Sequence, residues 1–456
     1  MTEGRRETLD MTEGSPVKVL LFFAVPIILS NLFQQFYNII DSLIVGNYLG
    51  TDALAAAGSA GTVTAVIVQM ASGLALGASV VVARYFGAGK KEKIRVCMTT
   101  VCIFAAVTGG IVTVGSQLFA EEILLVIKTP QEILADSREY LTIYFWGSVP
   151  IFLYNAVTAV FIAMGDSRTP LSFLVLAFFL NVAGDLFFIV ECSMGVGGGA
   201  LATTLSQGVC TALAYGMLER KLRRIGIGKG ERIFDKKELG RMMRIAVPAA
   251  LQQSVVSLGN VCVQTVTNGF GPAVMAGCTA ANKAVNLVSA VPINWGNALS
   301  GFVGQNAGAQ KTERIGQGVR ASLLVTGGIS VFLTLWMELL PEQMIGWFVE
   351  GEQAGEVIRV GAAYVRTAGW FFGIFSWYMV LKSVFKGVGD MNWFVGLTLS
   401  SLGVRVVCAF LLTPVFGERM LWWSAVIGWC VASGLTAAYY MSGRWRRYCL
   451  TGADDR

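Results

Sequence analysis

A lipid core holds no water to satisfy a bare peptide group, so a run of about 20 apolar residues has few options other than a spanning helix. Such runs recur twelve times along these 456 residues, at about 18–45, 53–83, 96–119, 139–161, 170–190, 197–218, 243–268, 273–303, 321–341, 362–385, 393–414 and 421–443. The second and eighth are longer than one span requires. Charged residues make up only 14% of the chain, against roughly a quarter in soluble domains. The spacing therefore predicts an all-α membrane protein of twelve transmembrane helices. Histidine is absent, which excludes imidazole acid–base chemistry and most zinc sites. The nine cysteines form no CxxC pair and lie mostly in apolar runs, as small core residues do. No GxxxxGK[ST] phosphate loop is present, so neither a nucleotide-driven motor nor an enzyme is expected. The polar start, "MTEGRRETLDMTEGSPVK", is not followed by the short apolar run of a cleavable signal peptide.

Basic residues orient the chain. Arg84, Lys90, Lys91, Lys93 and Arg95, then Arg168, the block from Arg220 to Arg244, Lys311, Arg314 and Arg320, and Arg444, Arg446 and Arg447 fall in alternate connections. The intervening loops are acidic or neutral, with Glu121, Glu122, Glu132, Asp136 and Glu139 in one and Glu342, Glu350, Glu352 and Glu356 in another. The positive-inside rule then puts both termini in the cytoplasm, and the inner membrane is the expected location. The rule also accounts for the net charge of +6 without a nucleic-acid partner.

The two halves repeat each other at an offset of 221 to 224 residues. "FAVPIILSN" (23–31) matches "IAVPAALQQ" (245–253), pairing Pro26 with Pro248. "ARYFGAGKKEKIR" (83–95) matches "GQNAGAQKTERIG" (304–316), and "YLTIYFWGSVP" (140–150) matches "YVRTAGWFFGI" (364–374). "FIAMGDSRTP" (161–170) matches "FKGVGDMNWF" (385–394). Six spans per half make the repeat parallel, as in alternating-access carriers. The expected organisation is a cytoplasmic tail at 1–15, a six-helix lobe at 16–219, a cytoplasmic linker at 220–241, a second lobe at 242–445 and a tail at 446–456.

Charges inside spans are costly and mark function by default. Asp41 in "FYNIIDSLIVG" lies about 23 residues from the cytoplasmic start of span one, and Asp185 in "FLNVAGDLFF" about 15 along span five. At 1.5 Å per residue these are about 35 and 22 Å deep, and Thr203 lies some 9 Å below the outer end of span six. Tyr37 and Asn181 stand four residues before the two acids, on the same helix faces. The five residues are expected to converge. Burial raises a carboxyl pKa and a second carboxyl nearby raises one of the pair further, which suits proton coupling. The same oxygens could instead coordinate sodium, with Asp41, Asn181, Asp185 and Thr203 as ligands. Otherwise no metal or cofactor is expected.

The stretches "PIILSNLFQQFYNIIDSLIVG", "ARYFGAGKKEKIR", "MGDSRTP" and "QNAGAQKTERI", in this order within a duplicated twelve-span chain, resemble the multidrug and toxic compound extrusion (MATE) family. The likeness covers about residues 16–445. It implies two six-helix lobes in a V and export of small amphipathic organic cations by antiport, functional as a monomer in the bilayer, with protons as the first candidate ion and sodium as the second. In the branch that includes the DNA-damage-inducible and archaeal members, Tyr37, Asp41, Asn181, Asp185 and Thr203 match the amino-lobe cation site. Pro26 matches the proline at which the first helix bends. Pro26 also removes the backbone donor for residue 22, which favours a kink. At the repeat offsets Asp41 falls on Cys262 or Val263, Asp185 on Ala409 and Asn181 on Arg405, so coupling is expected in the amino lobe alone.

Lys283 and the aromatic stretch "GWFFGIFSWYMV", with Trp370, Phe371, Trp377 and Tyr378, are candidate cleft residues for flat cations. Snorkelling and core packing explain them equally well. Asp166 and Asp390 are read as loop-shaping, with Arg168 as a candidate gate contact, and Gly73 and Gly77 as a close helix contact. A flippase for lipid-linked saccharides is the alternative function, and a more cationic cavity would favour it. A major-facilitator carrier is disfavoured because the loop after span two is not G-x-x-x-D-R-x-G-R-[RK].

Overall fold

The computed structural model describes residues 9–228, 233–349 and 354–450. Among them every regular element is helical, the arrangement that satisfies peptide groups within one segment. The first half comprises α1 (Pro16–Leu49), α2 (Thr51–Gly87), α3 (Lys91–Val126), α4 (Gln131–Trp146), α5 (Ser148–Ala163), α6 (Arg168–Asp185) and α7 (Gly195–Arg224). The second comprises α8 (Lys236–Asn268), α9 (Pro272–Gly308), α10 (Thr312–Leu339), α11 (Pro341–Gly346), α12 (Ala354–Trp370), α13 (Phe372–Gly387), α14 (Met391–Phe416) and α15 (Arg419–Met441). Eight of the helices are long and apolar enough to span a membrane, and the pairs α4–α5 and α12–α13 form two more spans bent by 48° and 56°. The glycine-rich α7 and the long α9, 30 and 37 residues, bring the number to twelve. Large apolar side chains such as Leu411, Val415, Phe416 and Leu118 stay more than half exposed, as lipid-facing residues must.

Spans four and ten, read from sequence as straight runs, are each broken in the middle. The breaks fall at Gly147 and Phe371, which are 224 residues apart and therefore equivalent. Phe119 and Leu340 leave helical geometry together in the same way, at φ −122° and −129°. Gly50 and Gly271 precede α2 and α9, each at φ 89°, a left-handed conformation that a β-carbon strains. The duplication thus extends to individual backbone angles.

The chain divides into two compact units, one of residues 1–10 and 25–247 and one of residues 11–24 and 248–456. Each unit therefore anchors the beginning of the helix that opens the other half. In the first, Glu238 at the start of α8 is wholly buried and accepts from Tyr85 Oη (2.9 Å), Lys93 Nζ (3.1 Å) and an Arg241 guanidinium nitrogen (2.6 Å). In the second, the segment before α1 is held by its backbone. Met11 N donates to Gln305 Oε1 (3.1 Å), while Asn306 Nδ2 and Arg314 Nε donate to the Met11 carbonyl (3.1 and 3.0 Å). Arg241 apart, the holding residues come from the equivalent stretches 83–95 and 304–316. Pro26 and Pro248 lie at the two points where the chain passes from one unit to the other.

α1 continues through Pro26 without a break, and Ser30 Oγ donates to the Pro26 carbonyl at 2.8 Å. A β-carbon at Gly77 would stand 2.4 Å from the Met242 carbonyl, so this glycine does mark a close helix approach, between α2 and the start of α8. Glu350 and Glu352 of the acidic loop, residues 229–232 of the linker and the outermost parts of both tails lie outside the described residues.

Candidate cation-coupling site

Four helices of the first unit build the site. Asp185 closes α6, and directly after it the chain passes into a π-helical turn, Leu186–Glu191. Such turns recur at functional sites because they redirect side chains without breaking a span. Gly184 lets α7 come close: a β-carbon there would stand 2.9 Å from that of Ala202. That approach sets Asn181 against Thr203, with Asn181 Nδ2 donating to Thr203 Oγ1 at 3.1 Å. α1 is fastened over them by aromatic edges, with Phe33 and Tyr37 packing on Phe178 at centroid distances of 5.2 and 6.0 Å.

The five residues expected to converge are brought together. The carboxyl groups of Asp41 and Asp185 are direct neighbours, and the Tyr37 hydroxyl lies beside Thr203 and both acids. Asp185 is 0% exposed, Asn181 1% and Tyr37 7%, whereas Asp41 and Thr203 are half-buried. Both Asp185 oxygens, Asn181 Oδ1 and the Tyr37 hydroxyl are buried without a hydrogen-bond partner. An ionised carboxylate left bare in a low-dielectric interior costs several kcal/mol. Two neighbouring buried acids, with no basic partner found among the described residues, favour uptake of a small cation. A proton fits, and so does sodium, because the unpaired groups are oxygens.

Tyr140 and Tyr144 were missed as site residues by sequence reasoning. They stack on α4 at a centroid distance of 6.1 Å and lie near enough to Asp41 to interact with it electrostatically. The signal available was their four-residue spacing on one helix face. Their nearness to Asp41 is a contact between helices, which no periodicity reveals.

The remaining candidates do not form one surface. Trp370 (73% exposed) and Phe371 flank the α12–α13 break, and Phe371 meets Trp423 edge-on at 5.6 Å. Trp377 is half-exposed and donates to the Leu323 carbonyl (3.3 Å), while Tyr378 is buried with its hydroxyl on the Leu397 carbonyl (3.4 Å). Lys283 is exposed, its ammonium 5.9 Å from the Phe348 ring centre. Asp166 and Asp390 shape loops. Asp166 Oδ1 accepts from the amides of Arg168 and Thr169 (3.1 and 3.0 Å), and its Oδ2 bridges to buried Lys221. Asp390 caps α14 through Trp393 N (3.5 Å) and accepts from Tyr439 Oη (2.6 Å).

At the positions equivalent to the acid site, the second unit holds Arg405. Its guanidinium donates to Asn260 Oδ1 at 3.2 Å, and its Nε is buried without a partner. Tyr364, the counterpart of Tyr140, lies within electrostatic range of that guanidinium, donates to Asn282 Oδ1 (3.0 Å) and stacks on Trp422.

A duplicated set of spanning helices that buries ionisable groups at matching depth is the architecture of a multi-pass membrane transporter. The chain belongs to the MatE family, whose profile matches it twice, over residues 26–187 and 248–411. The two matches start at Pro26 and Pro248, so the profile follows the same duplication. The chain is 27% identical over 445 residues to a probable multidrug resistance protein, YpnP, of Bacillus subtilis, covering 96% of this chain and 97% of that one. Its fold matches a MATE transporter crystallised in a bent conformation with a TM-score of 0.89 at 23% identity, over 99% of this chain and 100% of the other. It also matches a MOP superfamily transporter from Pyrococcus furiosus, described as having a binding pocket of reverse polarity, with a TM-score of 0.88 at 22% identity over 98% and 99% of the two chains.

Proposed function

We propose that this chain is a secondary active multidrug efflux transporter of the cytoplasmic membrane, with both termini in the cytoplasm. It exports amphipathic organic cations by antiport with protons, sodium being the second candidate. It works as a monomer, without a cofactor or a nucleic-acid partner. The observation that carries this reading is the fully buried Asp185, whose two oxygens have no partner and whose neighbour is Asp41. Support for the multidrug class comes from the name of the Bacillus relative, and for the sidedness from the basic loops.

A cation arriving from outside binds between Asp41 and Asp185. It removes the cost of their negative charge and so favours a packing in which the two acids and Tyr37 draw together. Release to the inside restores that cost and resets the site. Pro26 is the hinge, because α1 lacks one backbone hydrogen bond there and passes between the two units at the same place. Both packings must differ in cation affinity for the ion gradient to do work.

The test is dye efflux from proteoliposomes, the native chain beside Asp41→Asn, with proton and sodium gradients imposed separately. Efflux driven by one gradient and lost in the variant is the expected result and names the ion. Efflux that persists in Asp41→Asn overturns coupling at this site. Absence of flux under both gradients overturns the export reading.

A further inference from the structure

Arg405 is an unusual residue to find where it stands. It lies 14 residues into α14, about 21 Å along at 1.5 Å per residue, within a 26-residue apolar span. A guanidinium carries five donors and, inside a membrane, is normally matched by a carboxylate or by several carbonyls. Here one donor reaches a side-chain amide oxygen, Asn260 Oδ1, and the Nε–H is buried and unmatched. Among the described residues no carboxylate pairs with it. The groups found beside it are neutral: Asn260 on α8 and Tyr364 on α12, which is itself committed to Asn282. α15 packs closely on α14 one turn before the arginine, since a β-carbon at Gly428 would stand 2.6 Å from the Ser401 carbonyl.

A charge with an unsatisfied buried donor, set at the depth of Asp185 in the other half, is suited to meet an anion. We propose that Arg405, with Asn260, is a binding site for an anionic group of the transported solute, a carboxylate or a phosphate held by charge-assisted hydrogen bonds. This rests on the exporter reading and narrows its substrate class: the preferred cargo is an amphipath bearing a negative group together with its cationic or aromatic part. The orphan Nε–H is the donor such a group would satisfy, because a carboxylate meets a guanidinium through two parallel bonds.

The experiment uses two dyes that share one fluorophore, rhodamine 110, which carries a free carboxylate, and rhodamine 123, its methyl ester. Binding of each to the purified full chain is measured by fluorescence anisotropy, at equilibrium and without any ion gradient. The native chain is expected to prefer the acid about tenfold. In Arg405→Gln the preference falls to about one, and in Arg405→Lys it is kept in part, since a point charge remains without the planar fork. Binding of the ester at native strength is the folding control, so that a ratio of one in Arg405→Gln reports loss of the carboxylate contact and not of the whole site. A native chain that binds both dyes alike, or an Arg405→Gln chain that keeps the preference, overturns the proposal. A failure of export would appear instead in the gradient-driven assay and would leave this ratio unchanged.

Discussion

The two halves share a backbone and oppose each other in chemistry. Gly50 and Gly271 take the same φ of 89°, and Gly147 and Phe371 break equivalent spans. On that common frame the first half places Asp185, Asn181 and Asp41, while the second has Ala409 where Asp185 would be and Arg405 where Asn181 would be. Backbone geometry is held by many packing contacts at once, so it survives exchange of individual side chains. A buried charge is a single residue whose effect is local and large, so it can be gained or lost in one half alone. Duplication therefore supplied two equal scaffolds, one of which became acidic and the other basic.

The largest effect expected is at Asp185. Replacing it with Asn should reduce gradient-driven efflux to the level of protein-free liposomes, while Ala409→Asp should not create a second coupling site. Flux measured in liposomes checks both, and residual coupling in Asp185→Asn would break the asymmetry between the halves. A second difference concerns the loop aspartates. Asp166→Asn takes the carboxylate from buried Lys221 and should destabilise by about 3 kcal/mol. Asp390→Asn keeps a single acceptor oxygen, so it loses one of the two hydrogen bonds accepted from Tyr439 and Trp393 and should cost about 1 kcal/mol. Thermal unfolding of the detergent-solubilised chains would show the order, and equal losses would contradict it. Gly50→Ala and Gly271→Ala should each lose about 1 kcal/mol in the same measurement, and unequal losses would show that the common angles are not equally supported. The smallest effect is at Gln310, which adopts φ 58° where the first half uses Gly89 at 69°. Gln310→Gly should raise stability by about 0.5 kcal/mol, relief of left-handed strain being partly offset by glycine's entropy.

Much of this was readable in the chain before any coordinate. Period and length of the apolar runs give the spans, because lipid allows only internally bonded backbone. Two acids in the outer halves of their spans, each with a polar residue one turn below, pointed to the residues that the fold brings together. The breaks at Gly147 and Phe371 were not readable, because each lies inside an apolar run that is equally compatible with a straight helix. The nearness of Tyr140 and Tyr144 to Asp41 was hidden because it is a contact between separate helices.

Sequence alone determined the membrane class, the duplication and which half carries the acids, since these follow from composition, spacing and residue identity. Tertiary structure decided which polar atoms are left without partners: both oxygens of Asp185 and Nε of Arg405. Pairing is a property of several helices at once. No single segment records which donors and acceptors its neighbours will bring to it.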